Sequence, residues 1–562
     1  MRESTSSHHY ERASHMTLIV TPRSGHIERI IDIGAPTRDG TVLSSNVYLP
    51  AHGKPVPILL SMTVYRKELH KKHYEIFRRI PNTHLGTLRF SEDATFEGPD
   101  PAFWTSHGYG VIHVDARGFG KSQGKANPFS ISAFEDYYDV IEWAAHQPWC
   151  NGNVGLSGVS YLGSSQYFVA AMRPPSLRAI NPWDARTDRF RSDFLGGIPN
   201  TTMSRFIFEN FTIPSLHDPA QADEMRRFVD VENAPHLIDD PVYAERNQLW
   251  RSIENIMVPT LIGGSVSDQA KHSRDAFENF MRIGSSKKWL YVHRDGEWEA
   301  YYDEEGLALQ RRFFDHFLRK IDNGWDAIPP VIVHIHANRR RYQYLVSDEW
   351  PISGTIYRTL YLARDEKLSA VPVNEPCRCT YASDGSARVT FSIKFTESVS
   401  IVGHASLHLW FSIHAGADAD VFVGLKKIDR DGDEVFFLGE SGNNPNDIVS
   451  RGWIRASHRE LATESVSWRP ILKHHRQLPM EVGNPVGLEI EIHPTATSFL
   501  AGESLMLIIQ GASIPPSDVA IGFEAKVNRG THSVHLGGNY PSALRLPMVP
   551  HMPCHQGVRG PA

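Results

Sequence analysis

The chain has 562 residues, more than one hydrophobic core can organise, since single cores stop growing at roughly 250–300 residues, so two large domains, or two plus an insertion, are expected. A composition of 41% hydrophobic, 22% charged and 10% aromatic residues is that of a folded globular protein and excludes wholesale disorder or a fibrous class. A net charge of −6 without any long Lys/Arg block argues against nucleic acid as a partner, and no apolar run approaches the ~20 residues that span a membrane.

Met1–Met16 is polar, rich in Ser and His, and lacks the apolar stretch of a secretory signal. Residues 1–26 are therefore expected to form a disordered tail on a cytoplasmic protein. Four cysteines cannot make a disulfide framework, and the pair Cys377 and Cys379 has no second pair at zinc-ligand spacing. Reduced structural thiols, with no metal and no other cofactor, are the expectation.

After the tail, TVLSSNVYLP reads as a strand and PVPILLSMTVY as a short buried one. YGVIHVDARG is the next, ending in a Gly-rich turn. SAFEDYYDVIEWAAHQ then has helical spacing, with Ser132 as N-cap and Glu135 three residues on. GNVGLSGVSYLGSSQYFVAAM adds a strand, a Gly-flanked turn and a helix from about Tyr161. Strand and helix in alternation predict a doubly wound parallel sheet. From 184 to 250 this rhythm lapses into aromatic, Arg/Asp-rich helical sequence, expected to be a helical cap inserted over the active-site edge. It resumes in VPTLIGGSVSD, SRDAFENFMRI, KKWLYVH and the long helix GLALQRRFFDHFLRKI. From about Pro329 short strands take over, as in ASLHLWFSIHA and ADVFVGLKKI, predicting a β-sandwich of jelly-roll type. The expected fold class is α/β: an α/β-hydrolase domain over 27–183 and 251–325, a helical cap over 184–250, and an all-β jelly-roll sandwich over 326–562.

The central chemical signal is Gly158-Val159-Ser160-Tyr161-Leu162-Gly163, between a predicted strand and a predicted helix. A sharp strand-to-helix turn lifts a serine Oγ clear of the backbone, and small neighbours make room for it. The second glycine stands one place later than in G-x-S-x-G. In that context Ser160 is a candidate nucleophile; alone, a Gly-rich turn would carry little weight. A serine hydroxyl needs a base and a group that orients the base. Asp268, just after an apolar strand, is the candidate acid, although an N-cap would also explain it. His293, ending KWLYVH at the same edge, is the candidate base, with His272 as runner-up. The backbone N–H of Tyr161 is one oxyanion donor by construction, and the hydroxyl of Tyr65 is the candidate second.

Together these residues resemble the cocaine-esterase and X-Pro dipeptidyl-peptidase group of α/β-hydrolases, the CocE/NonD hydrolases, from about Ile27 to Pro516. The markers include GYGVIHVDARGFGKSQG, DYYDVIEWAAHQPWCNGNVGLSGVSYLGSSQ, FFDHFLRK, GWIRASHRE and FLAGESLMLIIQGASIPP. The resemblance implies Ser160 as nucleophile, Asp268 as acid and Tyr65 as oxyanion tyrosine. Many members place the catalytic His in a G-P-W-x-H pattern, whereas this chain reads LYVHRDGEWEAYY. Counting positions strictly lands on Glu297; other members resemble the sequence here, and His293 is kept.

The expected function is a serine hydrolase cleaving a small carboxylic ester or amide through an acyl-enzyme. X-Pro dipeptide release is less favoured, because such peptidases carry a large extra N-terminal domain. Amino-acid ester hydrolase or acylase activity would use carboxylates to hold a substrate ammonium; Asp184, Asp188 and Asp193 could serve, or could instead pair with Arg186, Arg189 and Arg191. A catalytically degenerate binding protein is the competing class, and a homo-oligomer is compatible with the sequence.

Overall fold

The computed structural model describes residues 17–68, 70–77, 87–232, 234, 236–439, 444–514, 527–550 and 555–558. Its first half is one twisted sheet. In chain order the strands are β1 (Ile27–Pro36), β2 (Val42–Pro50), β3 (Val56–Thr63), β4 (Gly110–Asp115), β5 (Cys150–Val159), β6 (Leu177–Trp183), β7 (Thr260–Ser265), β8 (Lys288–His293) and β9 (Val331–His336). They lie in the order β1-β2-β4-β3-β5-β6-β7-β8-β9, antiparallel as far as β4 and parallel from there on. Every residue of β3, β4 and β7 is buried, as strands covered on both faces must be.

Register aligns the strand ends: Thr63 with Asp115, Val159 with Trp183, and Ser265 with His293. The carboxyl ends of a parallel sheet thus share one edge, where ligands bind in such folds. Helices α1 (Ile131–Ala145), α2 (Ser160–Ala171), α3 (Ala222–Glu232), α4 (Pro241–Ser252), α5 (Ser273–Arg282), α6 (Glu297–Tyr302) and α7 (Glu304–Arg319) complete the layer. The stretch between β6 and β7 is helical, as expected for a cap.

Two expectations are corrected. The tail does not reach residue 26, because the β-branched run TLIVT forms a strand, Thr17–Thr21, paired in parallel with Thr87–Ser91; residues 1–16 lie outside the described residues. The N-cap of α1 is Ser130, whose Oγ accepts the N–H of Ala133 at 3.2 Å, and not Ser132. Glu135 consequently turns outward to Arg38, 3.2 Å away.

The second half is a β-sandwich. Its long strands Val399–Ile413 and Val486–Phe499 pair antiparallel, and Leu407, Leu409, Phe411, Leu488 and Ile490 lie in its core. The two halves are bolted together. Arg274 of α5 meets Glu491 of the sandwich at 3.0 Å, and the Arg294 guanidinium donates to the carbonyls of Ile448 and Val449 at 2.8 and 3.1 Å. Cys150, Cys377 and Cys379 are free thiols; Cys554 lies outside the described residues. Among the described residues no helix is long and apolar enough to cross a membrane.

Candidate active site

Ser160 opens α2 directly from the end of β5, with φ of 55°. A non-glycine residue tolerates that region only when its surroundings hold it there. A Cβ on Gly158 would stand 2.6 Å from that of Leu162. On Gly163 it would stand 2.9 Å from both the Ala185 Cβ and the Trp183 carbonyl. The second glycine is therefore needed one position later than in G-x-S-x-G, where α2 crosses the end of β6.

Ser160 lines a cavity with about 730 Å³ of empty space including its open mouth. Tyr65 lines it too, its ring edge-on to Phe96, Tyr161 and Phe211. Burial, reinforced by Glu97, raises the Tyr65 phenol well above its ordinary pKa, so it keeps its proton and remains a donor. The Tyr161 side chain is held away, its hydroxyl donating to the Pro128 carbonyl at 2.8 Å. Its amide, in the first turn of α2, has no partner within the helix.

Asp268 carries an imidazole, but the runner-up's and not that of the expected base. The imidazole on Asp268 belongs to His272: Nδ1 lies 2.6 Å from Asp268 Oδ2 and 3.2 Å from Glu297 Oε2. Burial disfavours the charged ring, but the Asp268 carboxylate and then Glu297 outweigh it and raise its pKa. His293, expected to bridge Ser160 and Asp268, is placed otherwise. Its Nε2 lies 3.2 Å from Asp184 Oδ2, its Nδ1 accepts the N–H of Asp295 at 3.3 Å, and its ring stacks on Trp183. Both ring nitrogens are thus engaged away from the cavity, while the other Asp184 oxygen accepts the Ser265 N–H at 2.8 Å. The Asp184–His293 pair ties the ends of β6, β7 and β8 together.

Three cavity residues carried no signal of their own in the sequence. Glu97 is 3% exposed and sits at φ 65°. Its Oε1 accepts the Trp298 indole N–H at 3.1 Å, while its Oε2 is buried without a hydrogen-bond partner among the described residues. Burial, with the charge of Glu297 added, raises its pKa well above the ordinary value. Lys271 places its Nζ 3.8 Å from Glu297 Oε1. Arg186 comes from the inserted segment and meets Asp193 at 3.2 Å. Asp188 pairs with Arg191 at 2.8 Å, so of the three inserted aspartates two face guanidinium groups and the third faces His293.

Asp268, His272 and Glu297 also bring one ligand atom each to within 4.8 Å of one another, close enough for a single ion. The Lys271 ammonium already supplies positive charge there, and the neighbouring carboxylates favour the charged form of His272.

Residues 39–296 match the X-Pro dipeptidyl-peptidase (S15) family, and 323–545 match the X-Pro dipeptidyl-peptidase C-terminal non-catalytic domain. Cocaine esterase of Rhodococcus sp. (strain MB1 Bresler) is 22% identical over 92% of this chain and 98% of its own. An α-amino acid ester hydrolase, 18% identical, shares the fold over 97% of this chain and 100% of its own, with a TM-score of 0.66. A CocE/NonD family hydrolase from Staphylococcus aureus is 35% identical over 93% of this chain and 94% of its own, with a TM-score of 0.85. Identity at that level, sustained from the strands before the Ser160 turn through the sandwich, makes this chain a member of the CocE/NonD family of hydrolases.

Proposed function

We propose that this serine hydrolase cleaves a small carboxylic ester or amide through an acyl-enzyme on Ser160, with Glu297 as the proton acceptor. The observation that carries the assignment is that Glu297 lines the cavity with Ser160 and backs onto His272 and Asp268. His272 lies between the Asp268 and Glu297 carboxylates, which favour its charged form, so its assigned role is to orient Glu297 and balance its charge. Ser160 Oγ attacks the carbonyl carbon and its proton passes to Glu297. The oxyanion is met by the Tyr161 N–H and the Tyr65 hydroxyl. Glu297 returns the proton to the leaving oxygen or nitrogen, and water repeats the sequence on the acyl-enzyme.

Several relatives bear on the substrate by their names, cocaine esterase and α-amino acid ester hydrolase among them. The free thiols fit a reducing cytoplasm. The domain limits follow the change of texture: hydrolase over 27–183 and 251–325, cap over 184–250, jelly roll from 326. A fluorophosphonate probe tests the nucleophile. Labelling that Ser160→Ala removes, with turnover in a panel of p-nitrophenyl esters and amino-acid p-nitroanilides, is the expected result; absence of both would leave a binding protein.

A further inference from the structure

The insertion between β6 and β7 brings a cation to the cavity. Arg186 lines it together with Ser160 and Tyr65. Its backbone is fixed by an N–H bond to Ser164 Oγ at 2.9 Å, on the helix that starts at the nucleophile. Among the described residues its one ion-pair partner is Asp193, at 3.2 Å, and that carboxylate also meets Arg189 at 3.3 Å. One carboxylate divided between two guanidinium groups leaves Arg186 incompletely neutralised. Its pKa is lowered by burial and then by Arg189, against the pull of Asp193 and Asp275, as expected for a cation short of counter-charge. On the other side, Lys271 and His272 face Glu297 and Asp268, which pairs those charges off. A site built for a substrate ammonium would offer a free carboxylate, whereas burial and the charge of Glu297 disfavour the ionised form of Glu97.

We infer that the ester or amide taken by this site carries a carboxylate, and that Arg186 binds it. The inference rests on the assignment of Ser160 as nucleophile and adds the chemical class of its substrate. A guanidinium reads a carboxylate by charge and by paired N–H donors, and Arg189 lines the same cavity beside Arg186 and adds to its positive charge.

The test compares mono-p-nitrophenyl glutarate with p-nitrophenyl valerate, and 4-(valeryloxy)benzoic acid with phenyl valerate, so that the carboxylate is tried on the acyl and on the leaving side. Uncatalysed rates are subtracted. On one side the anionic substrate should be favoured in kcat/KM by roughly 10- to 100-fold, the range of a hydrogen bond to a charged group. Arg186→Met should bring that ratio close to one, and Arg186→Lys should keep part of it. Glutarate should slow fluorophosphonate labelling of the unaltered enzyme and glutaramide should not, a measurement that needs no variant. Neutral substrates favoured on both sides, with no protection by glutarate, would overturn the inference while labelling still upheld Ser160. Equal loss on anionic and neutral substrates in Arg186→Met would also overturn it, placing Arg186 behind the Tyr65 donor. No labelling and no turnover would bring down the nucleophile assignment itself.

Discussion

The backbone N–H of Val159 donates to the carbonyl oxygen of Glu97 at 3.0 Å, tying the residue before the nucleophile to a carboxyl-bearing wall of the same cavity. Ser160 and Glu97 both sit at positive φ, 55° and 65°. Two non-glycine residues held in a sparsely populated region, one of them bonded to the residue that precedes the other, form a braced turn. Conformations of this kind persist only where the surroundings over-determine them.

Ser160→Ala should abolish probe labelling and lower turnover by about 10⁴–10⁶, the usual cost of losing a member of such a constellation. The thermal midpoint should stay within a degree or two, on the order of what a surface change produces. An active Ser160→Ala protein would move the nucleophile elsewhere.

Tyr65→Phe should lower kcat by roughly 10²–10³ with little change in KM, because the charge that its hydroxyl meets exists only in the transition state. Steady-state kinetics on one p-nitrophenyl ester decide it. An effect confined to KM would make Tyr65 a substrate contact.

The two histidines should separate. His293→Ala takes the imidazole from Asp184 Oδ2, leaving that buried carboxylate only the Ser265 N–H on its other oxygen, and should cost about 3–5 kcal/mol of stability, as breaking a buried pair does, while the protein that still folds keeps its kcat. Glu297→Gln should fold and lose kcat by about 10²–10⁴, the span of general-base catalysis. Equal losses of kcat in both variants would restore His293 to the chemistry.

These contrasts bear on what the sequence discloses. The turn at Ser160 is legible because its causes are local: a strand end, a helix start and the small residues around them. Asp268 is legible as a carboxylate at a strand end, where it meets an imidazole. The base is not, because two histidines and Glu297 all follow strands that end at one edge, and only side-chain direction separates them. Register sets His293 opposite Ser265, where its ring falls on Trp183 and Asp184. Glu97 and Arg186 reach the cavity from irregular segments, where no periodicity reports which way a side chain turns.

Stability should also respond to pH through Glu97. Its folded-state pKa stands above the ordinary 4.5, so its contribution is fully present below that value and is lost as pH rises through the folded pKa. Glu97→Gln, which resembles the protonated form, should match the unaltered protein at pH 4 and exceed it at pH 7. The gap should widen by up to about 1.4 kcal/mol per pH unit in that window. Denaturant midpoints at the two pH values measure this, and a gap that narrows with pH would contradict the raised pKa.

The bolt between the two halves bears on how the catalytic parts are supported. Gln269, one residue after Asp268, donates its side-chain N–H to the Val449 carbonyl at 3.2 Å, and His493 returns a bond to the Gln269 carbonyl. Arg294, three residues before Glu297, rests on the same stretch of the sandwich. The nucleophile is thus anchored in the sheet, whereas the proton-handling loops lean on a foreign wall. On the proposed assignment, a fragment shorn of the sandwich would keep Ser160 in position and lose the alignment of Asp268 and Glu297, making the C-terminal half an alignment jig for a cavity that none of its described residues lines.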